Sequence, residues 1–230
     1  TASSDFPTTP SAFQPNFKGG PSFSPSQIGA SFPNGSDIFV SRLSADGGWL
    51  LASTFVGGTG NDGLNIAAKL KYNYADEVRG EIDIDQQNNV YIATCTNSSD
   101  FPTKNGFQNT HNGGQEGCVV KLDNQLTTLV WGTYLGGNDD DAIYSLAIDK
   151  KNDIYVTGGT VSKDFPTTPS AYQPLYQDSI NPDAFITKIS SSGTQILKSS
   201  YFGTKKYDQS YFVEVGKKNA VYLFGQTKSL

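Results

Sequence analysis

One phrase of sequence returns three times along the 230-residue chain, and this repetition limits the fold more than any other feature. Residues 5–14 read Asp-Phe-Pro-Thr-Thr-Pro-Ser-Ala-Phe-Gln, and residues 164–173 repeat the phrase with one change, Tyr for Phe at the ninth position. A shorter version at 100–108 carries Asp-Phe-Pro-Thr and then Gly-Phe-Gln. Such a period predicts a repeat protein in which each copy forms one supersecondary unit.

Four strand signals, which we name a to d, follow one another in each copy. Strand b is a motif of the Val-Tyr-Ile type that leads to Thr96, Thr160 and Thr227, which lie 64 and 67 positions apart. Strand c ends in Lys or Arg plus an aliphatic residue, and strand d is an aromatic-glycine motif. Strand a is expected at 81–85, 146–149 and 212–215. These runs are rich in β-branched and aromatic residues, and no window shows a sustained helical period.

Units of four short strands at this period predict an all-β fold of β-propeller blades. We expect one propeller-type domain with repeat units at about 1–96, 97–160 and 161–227. The strand order splits the first and last blades, because the chain begins with strands c and d and ends with a and b. Since rings need about four to eight blades, we expect an arc of a larger ring of about six to eight. A longer chain or a second copy would supply the other blades.

Four segments resemble the SBBP-type β-propeller repeats of large secreted or surface-exposed bacterial proteins. They are residues 5–14, 133–140, 148–158 and 183–189. Proteins of this family often end in a sorting domain for type IX secretion, so the resemblance implies a secreted or cell-surface location. It implies no single activity, because a propeller is a platform for many functions. The first repeat departs from the pattern through an insertion at 61–75 and a swollen b–c loop at 15–36.

Composition agrees with an extracellular module and argues against two kinds of partner. The net charge of −5 and the isoelectric point near 4.8 provide no basic face for nucleic acid. No run of 18 apolar residues occurs, so no membrane insertion is expected. The 14 Phe, 12 Tyr and 2 Trp residues supply ample aromatic surface for packing between blades.

Propeller geometry predicts that the long segments share one side of the molecule, the long-loop face, because b–c loops and d–a connections emerge together. We expect this face to bind a glycan or an extracellular protein. The candidate contacts are three repeated aromatics and two tyrosines of the insertion: Phe6, Phe101, Phe165, Tyr72 and Tyr74. The alternative is that the three phenylalanines pin their loops to the blades, beside turns formed by Asp before Phe-Pro.

The acidic run in the second d–a connection suggests a metal site. Carboxylate and amide oxygens suit calcium, and the candidate ligands are Asn138, Asp139, Asp140 and Asp141. No Asp-x-Asp-x-Asp-Gly loop is present, however. An acidic residue also recurs at this connection as Glu77, Asp141 and Asp208, which favours a structural bond to a neighbouring strand. Cofactors are therefore expected to be absent, with calcium as the alternative.

Catalytic signals are sparse. His111 is the only histidine, so a His-dependent triad or a His-rich metal site has nothing else to use, and we interpret it as a loop residue. No catalytic residue can be named. We therefore expect a non-catalytic scaffold or adhesion module, not an enzyme. The alternative is a polysaccharide-active hydrolase or lyase that uses acidic residues of the long-loop face.

The two cysteines pose a question of pairing. Cys95 ends a strand b, and Cys118 lies early in the next strand c, where the sister repeats have Phe39 and Phe185. Antiparallel pairing brings the end of b beside the start of c, so one interpretation is a disulfide. It would close a 22-residue loop (96–117) and stabilise the fold by about 3 kcal/mol. Two separate buried thiols are the alternative.

Overall fold

The computed structural model describes residues 1–25, 29–73, 76–177 and 180–228. Over these ranges it contains twelve strands, three short 3-10 helices and no α-helix, and no helix within them is long and apolar enough to cross a membrane. The strands are β1 (Ile38–Leu43), β2 (Leu50–Val56), β3 (Glu81–Ile84), β4 (Val90–Thr96), β5 (Glu116–Leu122), β6 (Leu129–Leu135), β7 (Asp141–Ile148), β8 (Ile154–Thr160), β9 (Asp183–Ile189), β10 (Ile196–Phe202), β11 (Asp208–Val215) and β12 (Val221–Thr227). The 3-10 helices are Ala68–Leu70, Asp76–Val78 and Lys217–Asn219.

The strands form four antiparallel sheets that follow one another along the chain. Strands β3–β6 make the first blade and β7–β10 the second blade, each with neighbours in sequence order. Strands β1 and β2 make the first half-blade, which corresponds to strands c and d, and β11 and β12 make the second half-blade, which corresponds to a and b. The predicted all-β architecture of propeller blades is confirmed.

Strand a starts earlier than the sequence suggested. In the second blade it begins at Asp141, which pairs with Thr160, and a bulge near Tyr144 follows. In the first blade Asp62 makes an isolated bridge to Thr96, and regular pairing resumes only at Glu81. Residues 63–80, which we call the insertion, therefore interrupt strand a after its first bridge. The predicted placement at 61–75 was wrong because the insertion splits the strand.

Each blade buries both faces of its central strands. Tyr91 on one face of β4 packs with Leu146 and Val156 of the second blade, whereas Ile92 on the other face packs with Val40 of the first half-blade. Alternation along a strand sends neighbouring side chains to opposite faces, so strand β4 is buried at every position. This packing fixes the order in which the blades stack.

The b–c loops run down the outer edge of strand d before they reach the long-loop face. In the first blade Lys104 and Gly132 exchange backbone hydrogen bonds of 3.0 and 2.9 Å, and Gln173 bridges Tyr201 in the second blade. The loops thereby cover an edge that could otherwise pair with another chain. Among the described residues, the loop tips at the long-loop face are 15–25 with 29–36, 109–115, and 174–177 with 180–182. The expectation that entire b–c loops lie there was wrong.

Candidate functional site

A glutamine at the same position of each repeat holds the base of each tip; we call this arrangement the glutamine anchor. In the second blade, Gln173 Nε2 donates to Asp183 Oδ2 at 2.9 Å, and Gly203 N donates to Gln173 Oε1 at 2.8 Å. The amide thus joins the start of strand c to the end of strand d. The equivalent triplets are Gln14, Asp37 and Gly57, and Gln108, Glu116 and Gly136.

The acid of each anchor also collects backbone N–H groups from its own tip. Asp37 accepts bonds from Lys18 N at 2.8 Å and Gly19 N at 3.0 Å, and Glu116 accepts bonds from Asn112 N and Gly113 N. Burial raises the pKa of both carboxyls, and the backbone donors oppose this rise. These hydrogen bonds therefore fix the backbone of each tip to the acid at the start of strand c.

A second buried carboxyl recurs five positions after the first glycine that ends strand d. Asp62 accepts bonds from Gly58 N and Ser98 Oγ, both at 2.8 Å, and Asp141 accepts bonds from Gly137 N and Ser162 Oγ at the same length. Burial raises the pKa of Asp62 to about 7 and that of Asp141 to about 8. These carboxyls join the d–a connection to the next b–c loop.

The predicted recurrence of an acid at this connection was correct for Asp141 and Asp208. Asp208 Oδ2 accepts bonds from the backbone N and the hydroxyl of Thr204. The equivalent residue of the first repeat is Asp62 and not Glu77, since Glu77 lies inside the insertion. The constant spacing from the glycine of strand d could have identified Asp62 from the sequence.

The predicted calcium site is not formed. Asp141 is fully buried, while Asp140 Oδ1 accepts a bond from Gln115 N at 2.9 Å. Asp139 Oδ1 accepts from Asp140 N, and the backbone N of Asn138 donates to the b–c loop. In the part of the chain that the structure describes, no three or more His, Cys, Asp or Glu side chains are grouped to hold a metal.

The repeated phenylalanines hold their loops against the blades. This was the alternative to ligand contact in the sequence analysis. Phe165 is buried, with its ring centroid 4.4 Å from that of Phe185, and its N–H donates to the Tyr201 hydroxyl at 3.0 Å. Phe101 is buried in the same way, and the half-buried Phe6 packs 4.2 Å from Phe39. The prediction of ligand contact was wrong for Phe101 and Phe165, because their rings face the core.

Tyr72 of the insertion is 51% exposed, yet it contacts the second half-blade. Its ring centroid lies 4.6 Å from that of Tyr207, and Lys228 Nζ lies 4.9 Å from it. These contacts cover part of the Tyr72 side chain, and the prediction that Tyr72 contacts a ligand stays a prediction. The other tyrosine proposed as a contact, Tyr74, lies outside the described residues.

The insertion also ties blades together through polar contacts. The carbonyl oxygen of Leu70 accepts bonds from the Tyr144 hydroxyl of the second blade at 2.9 Å and from Gln209 Nε2 of the second half-blade at 3.2 Å. Asn73 Nδ2 donates to the Tyr211 hydroxyl. The insertion of the first blade thus spans the inner strands of its two successors.

The disulfide hypothesis was wrong, because both cysteines are free and buried. In the β4–β5 register Cys118 lies opposite Thr94, and Cys95 lies opposite Gly117. Residues opposite each other share a face, so the two thiols, offset by one position, point to opposite faces. Cys118 packs against the first half-blade and Cys95 against the second blade.

His111 lies half-buried in the tip of the first blade. Its ring packs edge-on against Tyr134 at 5.4 Å, and burial lowers its pKa. Its Nε2 atom has no hydrogen-bond partner among the residues that the structure describes. It therefore packs on the blade as part of a surface loop.

A family model described as the SBBP β-propeller repeat matches residues 130–166. The match runs from β6 through β7 and β8 and ends at the Asp-Phe-Pro segment of the next loop. It therefore includes Asp141 and the residues around it that join two blades. None of the curated proteins compared matches the chain. Repetition in the sequence, the four small antiparallel sheets and this match together identify the chain as one that carries an SBBP β-propeller repeat.

Proposed function

We propose that this protein is a non-catalytic interaction module that binds a glycan or a protein through the tips of its long-loop face. The observation that carries the proposal is the contrast between the tips and their bases. All three bases share the glutamine anchor, whereas the tips, 15–36, 109–115 and 174–182, are 22, 7 and 9 residues long and differ in sequence. Variable loops on a rigid scaffold are a common basis of recognition.

The chemistry of the tips favours a glycan. Exposed side chains of the first and second tips are rich in amides and hydroxyls, including Asn16, Ser22, Asn109, Thr110 and Asn112. Amides and hydroxyls both donate and accept hydrogen bonds, as pairs of sugar hydroxyls require. The low content of charged residues, 17%, supports the same ligand class. We also place the module in a secreted or cell-surface bacterial protein, which the SBBP repeat supports.

The buried acids of this face support a binding role over a catalytic one. A glycoside hydrolase needs two carboxyls that both face the substrate. Asp37, Asp62, Glu116 and Asp141 instead each accept at least two hydrogen bonds from neighbouring loops, and each is buried. These carboxyls recur from blade to blade, which also indicates a structural role, since a single active site needs only one set of catalytic carboxyls.

The test is binding of the purified protein to an array of extracellular polysaccharides and oligosaccharides and to immobilised fibronectin and collagen. In the tip variant, Thr110→Ala and Asn112→Ala are combined. The matched control, Gln86→Ala with Gln87→Ala, changes an exposed turn between strands a and b. We expect the tip variant to lose at least tenfold in affinity for the probe bound by the parent protein, and the control to retain it.

Two results would overturn this proposal. One is binding that is unchanged in the tip variant and in equivalent variants of the other two tips, with thermal unfolding also unchanged. The other is turnover: release of reducing sugar, or of an unsaturated product, from a polysaccharide on the same array would favour the hydrolase or lyase.

A further inference from the structure

An aromatic ring recurs three residues after the glutamine of each anchor. In the three tips this ring belongs to Phe17, His111 and Tyr176. Each ring packs on the aromatic residue of its own strand d, with centroid distances of 5.8, 5.4 and 5.8 Å to Phe55, Tyr134 and Tyr201. The ring therefore supports the tip in every repeat, and in the first blade alone it can carry a positive charge.

The polar atoms of these rings are satisfied differently. Phe17 has none, and the Tyr176 hydroxyl donates to the carbonyl oxygen of Asn181 in its own tip. His111 Nε2 is buried and has no hydrogen-bond partner in the described part of the chain. A neutral imidazole fits this position as a largely apolar ring, whereas an imidazolium has two N–H donors that both need acceptors. A buried charge without a partner is costly.

We propose that His111 makes the tip of the first blade, residues 109–115, a pH-sensitive switch. The neutral ring seats the tip on Tyr134, and protonation releases the ring to water together with the residues that flank it. Those neighbours are Thr110 and Asn112, and both are exposed. Histidine changes charge between pH 5 and 8, so the tip is released under mildly acidic conditions.

Strand β6 offers His111 an aromatic surface and no charge. The Tyr134 hydroxyl is already engaged by the b–c loop, because it donates to Ser98 O at 2.8 Å and accepts from Phe101 N at 3.1 Å. The two rings meet edge-on. The contact with Tyr134 is therefore one that the neutral ring makes by packing.

Glu116 of strand β5 is the carboxyl that holds the tip backbone. It accepts bonds from Asn112 N and Gly113 N, the two residues that follow His111. Burial raises the pKa of Glu116, so its protonation at low pH favours the seated tip and opposes release. Replacement of His111 leaves Glu116 in place, and a variant at position 111 therefore separates the two titrations.

The d–a connection beside the tip supplies two more carboxyls, those of Asp139 and Asp140. Asp140 Oδ1 accepts from Gln115 N at 2.9 Å, and Asp139 Oδ1 accepts from Asp140 N at 3.3 Å. Among the described residues no salt bridge joins His111 to an acid. Burial therefore lowers the pKa of His111, and the seated ring is neutral at pH 7.

The direction of the pH dependence follows from this lowered pKa. A released ring has the ordinary histidine pKa of about 6.5, and the seated ring has a lower one. The seated tip is therefore most stable above about pH 6.5 and loses stability as the pH falls towards the pKa of the seated ring. Each pH unit by which the pKa is lowered multiplies the ratio of released to seated tip by about ten, once the pH lies below both values.

Nuclear magnetic resonance tests the switch directly, because His111 is the only histidine. We expect its ring to titrate with a pKa below about 6.5. From pH 7.5 to pH 5, hydrogen exchange at the amides of Asn112 and Gly113, corrected for intrinsic rates, should accelerate by the factor that the measured pKa predicts. In His111→Phe, which has the ring of Phe17, this acceleration should be absent.

A second variant, His111→Tyr, has the ring of Tyr176 and should behave as His111→Phe does. Circular dichroism at both pH values and thermal unfolding verify that each variant is folded. A His111 pKa of about 6.5 or above would overturn the proposal. So would exchange at the two amides that accelerates equally in the parent protein and in both variants.

The consequence for ligand binding rests on the function proposed above. A neutral oligosaccharide that the parent protein binds at pH 7.5, and that the variant with Thr110→Ala and Asn112→Ala fails to bind, should bind the parent at least tenfold more weakly at pH 5. His111→Phe should bind it equally at both pH values. Equal binding by the parent at both pH values would overturn the switch and leave the proposed function standing. If no probe binds at either pH, the proposed function fails, and the pKa and the amide exchange alone decide the switch.

Discussion

Replacement of Gln108 by Glu turns a hydrogen bond of the glutamine anchor into a contact between two carboxyls. In the parent protein Gln108 Nε2 donates to Glu116 Oε2 at 2.6 Å, and Glu116 is buried. Gln and Glu have nearly the same shape, so the change introduces charge without a change in packing volume. The variant Gln108→Glu thus isolates the electrostatic part of the anchor.

Two energies decide how the variant responds. Two charges 2.6 Å apart repel by about 6 kcal/mol at an effective dielectric of about 20. A proton bound by one carboxyl at pH 7, against an ordinary glutamate pKa of about 4.3, costs about 4 kcal/mol. Because the proton costs less, the folded pair retains one, and the free energy of unfolding at pH 7 is expected to fall by about 3 to 4 kcal/mol.

The pH dependence follows from the raised pKa of the folded pair. Below about pH 4 the added carboxyl is protonated in both states, and its hydroxyl can donate to Glu116 as the amide did. As the pH rises, the unfolded chain releases the proton first, so stability is lost by about 1.4 kcal/mol per pH unit. The loss relative to the parent protein should therefore be small at pH 4.5 and large at pH 7.

Urea unfolding at these two pH values measures the effect. Two variants serve as controls. Gln86→Glu, in an exposed turn, should change the free energy of unfolding by less than about 0.5 kcal/mol. Gln108→Ala should cost about 1 to 3 kcal/mol at both pH values, since it removes hydrogen bonds without adding charge. Equal destabilisation by Gln108→Glu at pH 4.5 and pH 7, or a loss below about 1 kcal/mol at pH 7, would refute the reasoning.

Three further predictions concern single side chains. Tyr134→Phe removes a buried hydroxyl that bonds two backbone groups of the neighbouring b–c loop; it should lower the free energy of unfolding by about 1 to 3 kcal/mol in urea, whereas the exposed Tyr172→Phe should leave it unchanged. Because burial raises the pKa of Asp141 from 3.8 to about 8, this residue's contribution to stability is complete below about pH 4 and is lost as the pH rises to about 8. Asp141→Asn should flatten that part of the curve of unfolding free energy against pH, and an unchanged slope would contradict the assignment. Thiol titration without reductant should detect two thiols in the denatured protein and almost none in the native protein, since burial raises the pKa of Cys95 to about 12 and also that of Cys118; no thiols after denaturation would mean a disulfide.

Strand positions were largely predictable because the information is local. Runs of β-branched and aromatic residues, bounded by turns and repeated at a fixed period, located the strands within a few residues, and their order showed which blades are split. Strand a was the exception. In the first blade its opening bridge at Asp62 is separated from Glu81 by the insertion, and no local pattern reveals a strand that resumes after 18 residues.

The roles of the acids and cysteines depended on contacts that the sequence does not reveal. Adjacency of Cys95 and Cys118 was inferred correctly, but a register offset of one position places their side chains on opposite faces. Asp141 lay in a run that suggested a metal site, and its partner Ser162 comes from a different loop. The recurrence of an acidic residue at the d–a connection was visible in the sequence, but the groups that donate hydrogen bonds to it were not.

The sequence by itself determined that this chain is a series of propeller blades, because the periodic pattern of strands and turns repeats in three copies. The tertiary structure decided which surfaces remain free. Hydrogen bonds between residues far apart in the chain, such as Asn73 with Tyr211 and Asp62 with Ser98, bury the acids and attach the insertion. Such contacts form only when blades stack. Which candidate side chains are buried, and which loop tips stay exposed for binding, therefore depends on the assembled fold.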